Sequence, residues 1–438
     1  MLSVADNEAI TRVGRGTLMG EFMRQFWIPA CKSVELERNA IPTRLMLLGE
    51  KLVAFRDSEG RVGIFDHRCP HRCASLAFGR VEEGGIRCGY HGWKFDVEGK
   101  CLDQPNLPDK NRFPAGTKAM AYKTAERGGI VFVYMGQREV PPPLPDIEAT
   151  FGPMEGAGIA LTQRDCNWLQ NLEGDIDTSH LGFLHVGGID GHDIVESDPQ
   201  RYTVINKSPK INVSEMPFGT MYSAQRDAGP GEEHHRFACF IFPFWVTYPS
   251  DMIESNISVN AWVPVDDEHT MIFNIDLFRG QGKDTAMRYK DGSIVGGLAR
   301  PLEYLPNDPT DWRGRWRSAL NGSNDYGRSE QNIADGAYIG VKGIPLQDQA
   351  IIESMGKIVD RSLEHLASSD RMVMVTRRAL LAAAREFEKT GKLPEVLFNP
   401  QLSRAARGGD MVVPKGTDWL AGYQQAMEKA VGQDGKAL

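Results

Sequence analysis

Residues 67–95 read HRCPHRCASLAFGRVEEGGIRCGYHGWKF. Inside this stretch lie Cys69-Pro70-His71 and Cys88-Gly89-Tyr90-His91, a C-x-H arm and a C-x-x-H arm separated by sixteen residues. Each arm reads as a tight turn, and two such turns facing each other can pinch one metal centre. Two thiolates with two imidazoles suit a tetrahedral zinc, or a [2Fe–2S] cluster in which two histidines replace two cysteines on one iron. Zinc sites more often place both cysteines in one arm. Here each arm supplies one Cys and one His, which favours two irons with different ligands. Gly89 and Gly92 fit turns packed close to such a cluster. Cys73 is expected to be a buried thiol outside the ligand set, and His67 a surface or turn histidine.

The surroundings fit a small β-domain. From Cys31 to Gly136, short apolar runs (Leu45–Leu48, Leu52–Phe55, Val62–Phe65, Ile130–Met135) alternate with Gly, Asp, Asn and Pro clusters. A helix is expected over 8–27. The run Val140-Pro141-Pro142-Pro143-Leu144-Pro145 cannot continue a helix or a central strand, so the chain divides there into units 1–140 and 141–438. In the second unit, helix is expected over 167–185, 346–366 and 370–389, where apolar residues recur at three and four. Strands are expected at Tyr202–Ile205, Ile211–Val213, Phe237–Tyr248, Ile257–Val263 and Met271–Leu277. Strands grouped between helices indicate an α+β class.

Composition narrows the function. The chain has 438 residues, 41% hydrophobic and 25% charged, near the globular average. Its net charge of −8 repels phosphate backbones, so nucleic-acid binding is excluded as an expectation. The opening Met-Leu-Ser-Val-Ala-Asp-Asn-Glu has no apolar core of a signal peptide. The most apolar stretch, Phe237–Tyr248, is too short to span a membrane. A bacterial cytoplasmic location is expected, and the seven cysteines then read as thiols or metal ligands.

A second constellation lies in residues 167–185, NWLQNLEGDIDTSHLGFLH. On an ideal helix, five residues turn about 500°, leaving His180 and His185 about 140° apart. Both reach one metal only if the helix bends or widens, and Gly182 between them eases this. Asp177 and His180, three apart, share a face, so the carboxylate can accept from the imidazole. Two neutral imidazoles and a carboxylate make the facial triad of non-haem Fe(II) oxygenases, with open positions for O₂. Spacing does not single out the third ligand: Glu173, Asp175 and Asp177 all lie near. His192, His234, His235, His269 and His365 have no partner pattern and read as structural or exposed.

At these two motifs the chain resembles the Rieske non-haem iron aromatic-ring-hydroxylating oxygenases. More narrowly it is similar to their phthalate-dioxygenase-like branch, which includes chlorobenzoate and phenoxybenzoate dioxygenases. The likeness runs through Phe26-Trp27-Ile28-Pro29, CPHRCASL, CGYHGWKFD, the His pair and Trp262-Val263-Pro264-Val265-Asp266. It implies that Cys69, His71, Cys88 and His91 hold a Rieske [2Fe–2S] cluster, and that His180 and His185 bind Fe(II). It implies that Asp348, in Leu346-Gln347-Asp348-Gln349, is the late carboxylate ligand. Asp177 resembles the acid that bridges His180 to the cluster histidine of a neighbouring subunit. That role implies a head-to-tail homotrimer, or a stacked hexamer. The second unit should be a helix-grip catalytic domain, an antiparallel sheet closing around a long helix.

Ring oxidation by O₂ needs two electrons, and NADH cannot deliver them singly. No G-x-G-x-x-G stands between a strand and a helix here, so a separate NADH-dependent flavin/iron–sulfur reductase is the expected partner. A plain Rieske electron carrier would leave the His pair unexplained, and a zinc hydrolase would be colourless. A Rieske O-demethylase or monooxygenase would use the same iron site. For the substrate, phthalate would need a cation for each carboxylate. The resemblance puts Lys207 and Phe244 near positions where phthalate enzymes carry arginines. One cation opposite an aromatic wall favours a substituted benzoate such as 3-chlorobenzoate, cis-dihydroxylated, over phthalate or phenoxybenzoate.

Overall fold

The computed structural model describes residues 2–108, 117–151, 157–255, 257–277, 287–293, 295 and 302–432. Two short helices open the chain, α1 (Val4–Thr11) and α2 (Leu18–Met23), where one helix over 8–27 was expected. Gly14 and Gly16 separate them, and Gly16 has φ 76°, a left-handed conformation that ends helical pairing.

The first sheet contains β1 (Trp27–Lys32), β2 (Thr43–Leu47), β3 (Glu50–Arg56) and β4 (Val62–Asp66). A four-stranded insertion follows: β5 (Arg80–Glu82), β6 (Gly85–Arg87), β7 (Lys94–Phe95) and β8 (Cys101–Asp103), in that order. Then β9 (Ala121–Arg127) and β10 (Ile130–Tyr134) return to the first sheet, whose order is β1-β10-β9-β4-β3-β2. Neighbouring side chains on β3 point to opposite faces, and both faces are buried. Leu52, Ala54 and Ile64 join the large core of the molecule, whereas Val53, Phe55 and Phe65 pack into a smaller core with Cys69, Cys88 and Trp93. This explains why β3 and β4 read as continuous apolar runs rather than alternating ones.

The second sheet is antiparallel throughout. Its strands are β11 (Ala157–Arg164), β12 (Lys210–Met216), β13 (Gly219–Gly229), β14 (Glu232–Ile241), β15 (Trp245–Tyr248), β16 (Ile257–Pro264) and β17 (Thr270–Leu277). The order is β11-β17-β16-β15-β14-β13-β12, with β18 (Gly409–Pro414) pairing along the first half of β14. The expected single strand Phe237–Tyr248 is therefore two, split by the turn through Phe242, Pro243 and Phe244.

Among the described residues, six further helices accompany this sheet: α3 (Trp168–Asp175), α4 (Arg201–Ile205), α5 (Glu330–Ala334), α6 (Ile344–Ser354), α7 (Arg371–Thr390) and α8 (Trp419–Gly432). The long helix α7 buries Met372, Val373, Thr376, Leu380 and Ala384, one stripe at helical spacing. That stripe lies on β12 and β13, where Thr376 and Thr220 share a hydrogen bond of 2.7 Å. This is the helix-grip arrangement in an α+β chain. No helix among the described residues is long and apolar enough to cross a membrane.

Three further expectations change. Tyr202–Ile205 is helix α4, not a strand, because a short β-branched run has no period that separates the two states and its burial contacts decide. Helix α6 stops at Ser354, before Gly356 at φ 94°. Helix α3 stops at Asp175 and does not reach the histidines. The N-terminal helices also pack against the second sheet's helices: Phe22 lies 6.3 Å from Phe387, and Asn167 donates to the Thr11 carbonyl at 3.0 Å.

A buried ion network fixes α3. Glu173 accepts from Arg377 Nε at 2.6 Å and from Arg361 Nη2 at 2.8 Å, with Arg361 fully buried. Burial alone would raise the Glu173 carboxyl, but the two guanidiniums hold it below its ordinary value. Its contribution is thus complete at neutral pH and is lost only as acid titrates the folded-state carboxylate. Glu173→Ala leaves the buried Arg361 without a carboxylate, while Arg377 keeps only Glu364. The expected cost is about 3–5 kcal/mol, read as a lower urea midpoint of unfolding.

Candidate active site

The two metal-type arms of the first unit have the same backbone construction. Cys73 N–H donates to the Cys69 carbonyl at 2.9 Å, and Gly92 N–H donates to the Cys88 carbonyl at 3.1 Å. The closing residue of each arm is left-handed, Cys73 at φ 59° and Gly92 at φ 76°. The arms sit between β4 and β5 and between β6 and β7. Both thiols are buried, whereas His71 and His91 are half-buried with their rings 4.5 Å apart. His71 is stacked on Trp93 at 4.4 Å, which fixes its ring plane. Burial pushes the Cys69 thiol up to about 12, and the neighbouring Cys88 adds to this. His71 Nδ1 is buried without a partner among the described residues. Two buried thiols and an orphaned imidazole nitrogen fit a cationic cluster, which would take the sulfurs as thiolates and the nitrogen as ligand. Cys73 is exposed rather than buried, because its left-handed turn points it outward.

In the second unit the expected helix over 167–185 is broken. Asn167 caps α3, accepting from Leu169 N–H at 3.1 Å. After a non-helical step, residues Leu181–His185 form one π-turn, with Val186 N–H donating to the Leu181 carbonyl at 3.2 Å. Widening to i→i+5 bonding is the distortion that the five-residue spacing demanded. It brings the rings of His180 and His185 to 5.1 Å.

Asp348 on α6 meets them. Its Oδ1 lies 3.5 Å from His180 Nε2 and 3.2 Å from His185 Nε2. One donor atom from each of the three residues falls within 4.8 Å of the others, a spacing that can hold one ion. Asp177 stands behind: its Oδ2 is 3.4 Å from His180 Nδ1, and its Oδ1 accepts from Ser179 N–H at 2.7 Å. Of the acids near the His pair, Glu173 is consumed by Arg361 and Arg377, and Asp175 accepts from Asn260 and Trp262, both at 2.7 Å. Burial, helped by the charge of Asp348, raises Asp175 to about 7.

Sequence reasoning missed Gln347. Its Oε1 lies 2.8 Å from His185 Nδ1, and its Nε2 donates to the Val341 carbonyl at 2.8 Å. The amide is thereby held oxygen-inward, so His185 Nδ1 carries the proton and Nε2 is left for a metal. The available signal was its place directly before Asp348.

These groups border a cavity of about 270 Å³. Leu181, Val186, Val204 and Met287 give it an apolar wall; Tyr222 and Arg236 add polar groups. Lys207 and Phe244 do not line it. Lys207 lies along Gly182, its Nζ 5.0 Å from the Phe183 ring centroid, and Phe244 is fully buried in the core. The resemblance to phthalate enzymes had placed them near the substrate; in the structure Lys207 follows α4 and Phe244 lies in the turn between β14 and β15.

A Rieske [2Fe-2S] domain family matches residues 26–114, and a family described as LigXa C-terminal domain like matches residues 133–436. The 3-chlorobenzoate-3,4-dioxygenase oxygenase subunit of Comamonas testosteroni is 45% identical, covering 98% of this chain and all of its own length. The phthalate 4,5-dioxygenase oxygenase subunit of Pseudomonas putida is 32% identical, over 89% of this chain and 87% of its own. Among solved structures, a QL mutant of NdmA from Pseudomonas putida CBB5 with caffeine superposes with a TM-score of 0.57 at 20% identity, over 91% of this chain and 99% of its own, a likeness of fold. The chain belongs to the Rieske non-haem iron oxygenases. It is the oxygenase component of an aromatic-ring dioxygenase, with a Rieske [2Fe–2S] cluster and a mononuclear iron as cofactors, and it works with O₂ and a reductase.

Two outcomes are expected here. Gln347→Leu frees the His185 ring and lowers iron affinity about 10- to 100-fold, while the visible spectrum of the cluster stays unchanged. In the metal-free protein, burial works against a charged His180, yet Asp177 and Asp348 raise it to about 10. The metal needs the neutral imidazole, so Fe(II) loading at neutral pH should release protons to a pH indicator and weaken as pH falls.

Proposed function

We propose that this oxygenase cis-dihydroxylates a substituted benzoate, with 3-chlorobenzoate the favoured substrate. The observation that carries the reading is the end-to-end 45% identity to the 3-chlorobenzoate-3,4-dioxygenase oxygenase subunit. A mostly apolar cavity with one arginine beside the His/His/Asp group supports it. A monocarboxylate with an apolar substituent matches such a wall, whereas phthalate would bring two charges to one cation.

Residues 1–140 act as the electron-accepting unit and 141–438 as the oxygen-activating unit. Cys69, His71, Cys88 and His91 hold the cluster. His180, His185 and Asp348 hold the iron, with Gln347 orienting His185. When bound, the cluster would supply an electron and the iron would supply the Lewis-acidic, redox-active place for O₂ beside the ring. The chain's own contribution is positioning: the π-turn sets the two imidazoles, α6 sets the carboxylate, and the apolar wall excludes water.

Asp177 keeps one oxygen on its own backbone and the other toward His180 Nδ1. With about a quarter of its side chain exposed, it can accept from an imidazole outside the cavity. That geometry suits the bridge to the cluster of a neighbouring subunit in a head-to-tail trimer, alone or stacked as a hexamer. The reductase is then an NADH-dependent flavin/iron–sulfur protein.

The test of substrate is product analysis with a surrogate reductase and matched benzoates. A cis-diol from 3-chlorobenzoate is expected, and faster turnover of phthalate would refute the reading. His180→Ala should abolish turnover and keep the cluster chromophore, while Cys88→Ser should bleach it. Asp177→Asn keeps the packing but loses the charged acceptor. Cluster oxidation in a single turnover should slow far more than substrate affinity falls, and an unchanged rate would remove the bridging role.

A further inference from the structure

Among the described residues, Arg236 is the one lysine or arginine on the cavity wall. It sits on β14 opposite Ala224 of β13 and Asp410 of β18. Side chains alternate along these strands, so Arg236 shares its face with Ala238 and His234, and with Tyr222 and Ala224 across the β13 pairing. Arg236 is 4% exposed, and two of its three guanidinium nitrogens are occupied. Nη1 donates to both Asp410 oxygens, at 3.2 and 2.9 Å, and Nη2 donates to the Pro249 carbonyl at 3.0 Å. Asp410 is itself fully buried and bound to His234 Nε2 at 2.8 Å. Arg236 is thus clamped from two sides in one orientation.

Its third donor, Nε–H, is buried with no partner among the described residues. A second orphan lies on the same wall: the Thr203 hydroxyl of α4, 3% exposed, is also without a partner. Buried polar groups are almost always satisfied. Two unsatisfied groups from different elements, both on the wall of the cavity beside the His/His/Asp group, point to an acceptor supplied by a ligand. Other nearby cations do not line the cavity, although Arg226 Nη1 and Arg201 Nε are also buried without a partner among the described residues. Lys207 lies over the Phe183 ring, and Arg226 donates through Nε to the Asn206 carbonyl, off the cavity wall.

We infer that Arg236 Nε and the Thr203 hydroxyl form the anchor for the substrate carboxylate, the role that the sequence assigned to Lys207. The inference rests on the benzoate reading given above. A carboxylate is the fitting acceptor because it offers several lone pairs to a charged donor and a neutral one at once. The Asp410 clamp makes the arginine a fixed direction rather than a mobile charge. That fixes the ring's attachment point and so contributes to which ring edge is presented to the iron.

The test uses holoenzyme with both metal sites loaded and measures dissociation constants for 3-chlorobenzoate and its neutral analogue 3-chlorobenzamide. Arg236→Lys keeps a positive charge for Asp410 but cannot serve Asp410, Pro249 and a ligand in one fork. It should weaken benzoate binding about tenfold to hundredfold and collapse the preference for benzoate over benzamide. Thr203→Val preserves shape, should weaken benzoate binding about threefold to tenfold, and decides the matter if the arginine variant does not fold. Iron content and cluster absorbance should match wild type in both. An unchanged benzoate-to-benzamide ratio in the folded variants overturns the assignment while leaving the benzoate reading intact. Failure of the wild type to bind any benzoate overturns both.

Discussion

Three side chains must converge on one point from segments more than 160 residues apart in sequence, two of them from adjacent turns and one from a distant helix. The imidazoles of His180 and His185 cannot share that point on a regular helix, because five residues overshoot a turn by about 140°. The π-turn at Leu181–His185 removes the mismatch, and its cost is met by packing around it. Gly182 lies against the Lys207 side chain, where a Cβ would come within 3.0 Å, so the turn is pressed against α4's end and held.

The remainder of the second unit serves that convergence. Glu173 ties α3 to Arg361 and Arg377, so the segment leading into the histidines is anchored to the long helix α7. Gln347 and Asp348 are neighbours on α6, and together they address both sides of His185. Asp175 is kept back by Asn260 and Trp262 on β16, so an extra carboxylate lies near the centre without joining it. The sheet contributes the far wall, where Arg236 is locked by an ion pair across the β14–β18 seam.

The first unit solves a different problem with the same economy of means. Two arms of identical hydrogen bonding present two buried thiols and two more exposed imidazoles, a polarity suited to a cluster that exchanges electrons at its histidine edge. The sheet strands β3 and β4 are buried on both faces, one against the small core around Cys69 and Cys88 and the other against the large core, which runs from Trp27 and Ile130 into the second sheet. Motion of one relative to the other would expose apolar surface on both, which opposes drift between the two units.

The amino-acid sequence by itself determined both cofactor motifs, the α+β class and the family, because those signals are local: a few residues at fixed spacing whose chemistry is intrinsic. It could even state that a helix carrying His180 and His185 must bend or widen, since that follows from helical pitch alone. Tertiary structure decided the rest. Asp348 could be singled out only through resemblance, since no spacing links a late carboxylate to the His pair, and the fold is what brings it within 3.5 Å of both rings. Cys73 turned out exposed because a left-handed turn, not hydrophobicity, sets its direction. Tyr202–Ile205 has the composition of a strand and the contacts of a helix, and Lys207 just after it lies off the cavity wall. Arg236 was visible as a charge before an apolar run, yet its clamped guanidinium and free Nε exist only once β18, from the far end of the chain, pairs beside it. Local chemistry is written in neighbours along the chain; the direction in which a buried donor points is set by neighbours in space.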